Sequence, residues 1–215
     1  MSVYQPNSFA SSSVVYIVGG DVAECAELAN TVRDAGLTAQ AFGSEPAFLD
    51  SPRTGAPCVA VIEVSRSGVS ACELLRRLSA ERPEMPVIFV TGDGDIPMSV
   101  RAMKAGAFDF LPKPLDTEAL VEVIQDAVER SQMLRADQAE LERLRDRHAL
   151  LTRREQEVMA CVVSGLLNKQ VAGRLGISEI TVKAHRGQVM RKMQARSFAS
   201  LVNQAARLGV GVTPK

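Results

Sequence analysis

Between Val14 and Leu111 the sequence sets down five short apolar runs, each separated from the next by residues with helical spacing. Val14–Val18, Leu37–Phe42, Pro57–Ile62, Pro86–Thr91 and Ala107–Leu111 have strand length and are rich in β-branched and aromatic side chains. Asp21–Ala35, Pro46–Asp50, a stretch from about Ser70 to Glu81, and Ile96–Ala105 fill the intervals as helices. Strands that are apolar on both faces and alternate with helices predict a five-stranded parallel sheet covered on both sides, the doubly wound α/β class. Chemistry in such a sheet collects at the carboxyl ends of the strands. Those ends carry Gly19, Gly20 and Asp21 after the first run, Glu63 after the third, Thr91 after the fourth, and Lys113 with Pro114 after the fifth; Phe110 lies on the fifth run itself. Asp21 is also well placed to cap the first helix.

From Asp116 onward there is no Gly or Pro until Gly165, which predicts one helix, or two in near continuity, from Thr117 to about Arg147. Leu120, Val123, Ile124 and Ala127 fall on one face and should cover the sheet. Farther on, Leu134, Leu141, Leu144, His148 and Leu151 recur at heptad-like spacing between charges. A short two-stranded coiled coil between two copies accounts for that pattern; a solvated helical linker accounts for it as well.

The remainder reads as short helices with sharp punctuation. Thr152 and Glu155 form a capping-box pair ahead of Val158, Met159, Val162 and Val163, and Gly165 ends that helix. Asn168 should cap a second helix carrying Val171, Ala172 and Leu175 inward, until Gly176 turns the chain. Ser178 and Thr181 can cap a third, with Val182, Val189, Met190 and Met193 on its apolar face and His185 between them. Lys183, Ala184, Arg186, Gly187, Arg191 and Lys192 then point largely outward. A helix, a glycine turn and a basic second helix is the layout that places one helix in a DNA major groove, and small residues beside cations let the backbone approach base edges. A helical bundle with a solvated basic face has the same spacing.

Charge divides the chain in the same place. The net charge is zero, yet residues 1–147 hold 14 basic and 22 acidic side chains, a balance of −8, and residues 148–215 hold 11 and 3, a balance of +8. Only the second part has the sign that attracts nucleic acid. Four modules follow: a Ser-rich, disordered 1–13, an α/β domain over 14–130, a connector over 131–150, and an all-α domain over 151–215.

Two stretches carry a resemblance. LTRREQEV, NKQVAGRLGIS and TVKAHRGQVMRKM resemble the helix-turn-helix of LuxR-type regulators, and VTGDGDIPMSVRAMKAGAFDFLPKPL resembles the second half of a receiver domain from a FixJ-type response regulator. The resemblance implies that Lys183, Ala184 and Gly187 face bases, that Lys169 and Thr181 hold the DNA backbone, and that His185, Arg186 and Arg191 lie on the same recognition helix. Ser197–Leu208 would form the fourth helix. It also implies a phosphoryl pocket, in which an acid pair after the first strand holds Mg²⁺ and an Asp ending the third strand accepts phosphate. Thr91, Lys113 and the switch residue Phe110 match that pattern. Gly19 and Gly20 replace the acid pair, and Glu63 stands at the acceptor position. Mg²⁺ requires oxygen ligands, and Glu63 sets its carboxylate one C–C bond, about 1.5 Å, farther from the strand than Asp would.

The expectation is therefore a DNA-binding, dimeric transcription regulator with a pseudo-receiver that acts without phosphorylation, with Glu63 either paired to Lys113 or imitating a phosphoryl group toward Thr91. A regulator still phosphorylated on Glu63 or a neighbouring acid is the alternative, as is an adaptor whose receiver binds a small molecule, another regulator or a sensor protein. The sequence contains no nucleophile–base pair, nucleotide loop or metal-ligand cluster, so neither an enzymatic role nor a cofactor is expected. Cys25, Cys58, Cys72 and Cys161 lack metal spacing and read as buried thiols of a reducing cytoplasm, with a redox switch as the lesser reading. No apolar run approaches 18 residues and no leader pattern opens the chain, so neither a membrane span nor export is expected.

Overall fold

A computed structural model describes residues 13–19, 21–64, 69–92 and 96–211. Its first part runs β1 (Val14–Val18), α1 (Val22–Asp34), β2 (Thr38–Phe42), α2 (Glu45–Leu49), β3 (Cys58–Val64), α3 (Val69–Glu81), β4 (Val87–Thr91), α4 (Ile96–Lys104) and β5 (Asp109–Pro112). The strands form one sheet in the order β2-β1-β3-β4-β5, every pair parallel. Because side chains alternate along a strand, the sheet has two apolar faces. Tyr16, Ile62 and Phe89 lie in one core with Phe48, Leu75 and Leu78 of α2 and α3; Ile17, Val61 and Val90 lie in the other with Ala29 and Val32 of α1 and with Leu120 and Ile124.

Most boundaries shift by one or two residues, β5 among them, which starts at Asp109 and not at Ala107. β3 continues through Val64, which is itself buried, so Glu63 stands on the strand, paired in register with Val90, and does not follow it. Ser13, placed in a disordered leader, is buried, and residues 1–12 lie outside the described residues. Asp21 caps α1 as its position suggested, Oδ1 accepting from the backbone of Ala23 and Glu24 at 2.8 and 3.1 Å. Cys25, Cys58 and Cys161 are buried free thiols and Cys72 is half-buried; burial pushes Cys58 up to about 11, far from a reactive thiolate.

A single helix, α5 (Thr117–Ala149), leaves the sheet, and the chain divides after Arg135 into two compact units. No helix among the described residues is long and apolar enough to cross a membrane. The second unit adds α6 (Arg153–Val163), α7 (Asn168–Leu175), α8 (Glu179–Lys192) and α9 (Phe198–Arg207). Gly176 closes α7 at φ 66°, a left-handed conformation that favours glycine, and Ser178 Oγ caps α8 by accepting from Thr181 N–H. Asn168 is the first residue of α7, not its cap. Leu167 holds the cap position, its N–H satisfied by Gln170 Oε1 at 2.8 Å, which leaves the Asn168 amide for another partner.

The core of this unit joins Val158, Met159, Val171, Val182, Val189 and Met193 to Leu144 and Leu151. The heptad-like spacing of Leu144 and Leu151 predicts a seam between copies or a solvated linker; their burial here (1% and 4% exposed) makes them part of the unit's own fold instead. Lys192, expected to face outward, folds in: its ammonium donates to Glu155 at 2.6 Å and to the Leu150 carbonyl at 3.1 Å. Glu155 is buried and also completes the capping box with Thr152. Burial alone would push its carboxyl up, but the Lys192 ammonium and the Thr152 N–H outweigh it and hold the carboxyl below its ordinary range. A depressed folded value stabilises the fold above the unfolded carboxylate value, about 4.3, and that contribution fades as pH falls through the lower folded value. Glu155→Ala is expected to destabilise this unit by about 2–4 kcal/mol at neutral pH, since it removes a cap and strands a half-buried ammonium. In thermal melts the difference from wild type should shrink as pH drops below about 4.

Candidate functional site

At the carboxyl edge of the sheet one ammonium serves two carboxylates. Lys113, just past β5, donates from Nζ to Glu63 Oε1 on β3 and, at 2.7 Å, to Glu24 Oε2 in the first turn of α1. The Glu63 and Lys113 side chains are 23% and 29% exposed, while Glu24 is 52% exposed. That asymmetry sets opposite directions for the two acids. Burial pushes the Glu63 carboxyl up, with Lys113 opposing and Glu24 adding to the rise, whereas the Lys113 hydrogen bond holds the hydrated Glu24 below its ordinary range. Burial would lower the Lys113 value; the two carboxylates more than compensate and keep the ammonium charged.

Gly19 makes room for this arrangement. A Cβ placed there would lie 2.9 Å from Glu63 Oε2 and 2.8 Å from the Sγ of buried Cys25, both inside van der Waals contact. Asp21 is committed to the α1 cap, and Gly20 lies outside the described residues. Thr91 is buried at the end of β4, and Phe110 is half-buried against the core that holds Phe89. A cavity of about 310 Å³ opens beside Lys113, between α1 and the start of α5, with Ile17 and Val90 in its lining. Sequence reasoning missed Glu24. Its helical position was legible, but its pairing with a residue 89 positions away was not. Gly19→Ala should lower the melting temperature, at a cost of about 1–3 kcal/mol. Glu63→Ala in the same chain should recover a clear part of that loss, the remainder reflecting Cys25.

The second candidate surface is α8. Lys183, Ala184, Gly187 and Arg191 are exposed on it, and Lys169 is exposed in the first turn of α7. Thr181 is half-buried with its hydroxyl 2.8 Å from Ser178 Oγ, and His185 is half-buried. Arg186 is turned inward. Its Nη1 donates to Asn168 Oδ1 at 2.6 Å, and its guanidinium stacks 5.3 Å from the centroid of the Phe198 ring.

Residues 15–125 match the family model of the response regulator receiver domain, and residues 149–205 match that of bacterial regulatory proteins of the luxR family. The chain belongs to the response regulators that join these two domains. Nodulation protein W of Bradyrhizobium diazoefficiens is 41% identical over 94% of this chain and 88% of its own length. Transcriptional regulatory protein FixJ of the same species is 36% identical over 91% and 96%. Among solved structures, response regulator StyR is similar at 38% identity and a TM-score of 0.74, covering 91% of this chain and 99% of StyR. Full-length FixJ from B. japonicum gives 34% identity and a TM-score of 0.53 over 91% and 97%. This regulator is thus a DNA-binding transcriptional response regulator of the two-component class, and it is not an enzyme.

Within this regulator, Arg186 is held by α7 and α9 and so acts as a strut for α8. Arg186→Gln is expected to weaken DNA binding while leaving the dependence on salt unchanged. Lys169→Gln should flatten the log–log salt slope by about one for each lost phosphate contact.

Proposed function

We propose that this regulator binds operator DNA as a homodimer and does so independently of phosphorylation. The observation that carries this reading is the Glu63 carboxylate, held by the Lys113 ammonium, filling the space a side chain at position 19 would need. In the receiver pattern that space belongs to a metal-binding acid. The residues present do not fit Mg²⁺, which demands near-octahedral oxygen ligands and one or two free carboxylates. Gly19 has no side chain, the Asp21 carboxylate is spent on a helix cap, and Glu63 already holds a cation. Metal-assisted phosphoryl transfer depends on positioning at the scale of one bond length, and Glu63 reaches past where an Asp carboxylate would sit.

The ion pair takes over the role of the switch by fixing one arrangement of the pocket. A carboxylate carries one charge against about −1.5 to −2 for a phosphoryl group, so pairing suits Glu63 better than imitation of phosphate. Dimerisation presents two copies of α8 to paired half-sites. With Leu144 and Leu151 occupied in their own core, the dimer must use other surfaces. On this reading Lys183, Ala184 and Gly187 face bases, Lys169, Thr181 and Arg191 meet the phosphate backbone, and the regulator works on DNA in the cytoplasm.

Control by a small molecule is a second reading, and the cavity of about 310 Å³ beside Lys113 is the feature that favours it. Sedimentation of the untreated protein over a concentration series, repeated with Mg²⁺ and beryllofluoride, tests the first. A dimer whose association and DNA affinity ignore both additives is the expected outcome, and Glu63→Gln should alter affinity by less than about threefold. A monomer that pairs only with the additives would defeat the proposal and restore a working phosphoryl switch.

A further inference from the structure

We propose that Ile180 is a specificity-determining residue that reads the C5-methyl group of a thymine in the major groove. The inference rests on the DNA-binding activity of this family and not on the state of the receiver pocket.

Ile180 is 80% exposed, more than any other large hydrophobic side chain among the described residues, and it belongs to none of the three cores. It occupies the first turn of α8, and residues near the N-terminus of a groove-binding helix are those that meet base edges. Single exposed apolar residues are common on protein surfaces and need no explanation by themselves. The helical position of this one does call for one. At about 100° per residue, Ile180, Ala184, Gly187 and Arg191 fall within an arc of about 60°. Buried Val182, Val189 and Met193 fall on the opposite side. The outermost edge of α8 is therefore an aliphatic side chain, two residues with almost no side chain, and a terminal cation.

Gly187 keeps this edge low without any need inside the chain. Its backbone is not in the left-handed region, and a Cβ added there would meet open space, so neither conformation nor packing within the protein requires glycine. Glycine inside a helix costs about 1 kcal/mol against alanine, and its local benefit here is close approach by another molecule. With Ala184 and Gly187 lowering the middle of the edge, Ile180 stands out at one end. A branched aliphatic side chain cannot pair with phosphate or with a base donor or acceptor. The apolar group that the major groove offers is the thymine methyl. Arg186, the cation that would otherwise compete for bases on this half of the helix, is held back by Asn168 and Phe198.

The test uses the full-length protein and DNA duplexes selected with it from a randomised library. In the enriched duplex each thymine is replaced singly by deoxyuridine, which removes only the methyl group. At one thymine per half-site the replacement should weaken wild-type binding by about fourfold, the value of one buried methyl. Ile180→Ala, on a side chain that supports no core, should bind the thymine duplex correspondingly less tightly and should not distinguish thymine from deoxyuridine at that position. Ile180→Val, which keeps a branched apolar end, should retain most of the discrimination. The proposal is overturned if no deoxyuridine effect depends on residue 180, if Ile180→Ala binds every duplex as wild type does, or if no sequence is enriched.

Discussion

One ammonium shared between two carboxylates organises the edge of the sheet where this family conducts its signalling. Lys113 cannot release Glu63 without leaving a partly desolvated carboxylate unpaired, and unpaired buried charge is among the costlier defects a fold can contain. The pair in turn requires emptiness at position 19. A glycine, a longer acid and a lysine thus define one volume among them.

The DNA-binding unit uses a similar device for a different end. The Glu155 carboxylate meets the Thr152 N–H and the Lys192 ammonium at once, so the start of α6 and the end of α8 are tied through one buried group. Arg186 ties the middle of α8 to α7 and α9. Two of the cations that make this unit basic, Lys192 and Arg186, therefore hold α8 in place.

The sheet and its helices were legible because they follow from repetition: period two, period 3.6, and punctuation by glycine and capping residues all act over a few positions. Asp21, Thr152, Gly176 and Ser178 perform the local tasks their types predict. The strand-end residues were legible too, since the α/β class dictates where to look. What escaped was long-range partnership. Periodicity gives the direction a side chain takes from its own helix axis and says nothing about which neighbour waits there. Glu24 and Lys192 each met an opposite charge far away in the sequence, Arg186 found an amide freed by a cap one residue earlier than expected, and Leu144 fell on a heptad position that its own domain had already claimed. Arg and Lys are especially hard to place in this way, because a long apolar stem allows the charged end to turn either outward or back across the surface.

The shared volume at positions 19 and 63 also has a consequence for how such a pocket can change over generations. An acid introduced at 19 while Glu63 remains would collide with it and with Cys25; an aspartate introduced at 63 while Gly19 remains would withdraw from Lys113 and leave a void beside it. Either order of single changes passes through a poorer protein, so a pocket with an acid at 19 and an aspartate at 63 is separated from this one by a valley. Once both residues had settled into this fit, packing alone would tend to keep the lineage there, whatever signal it came to serve.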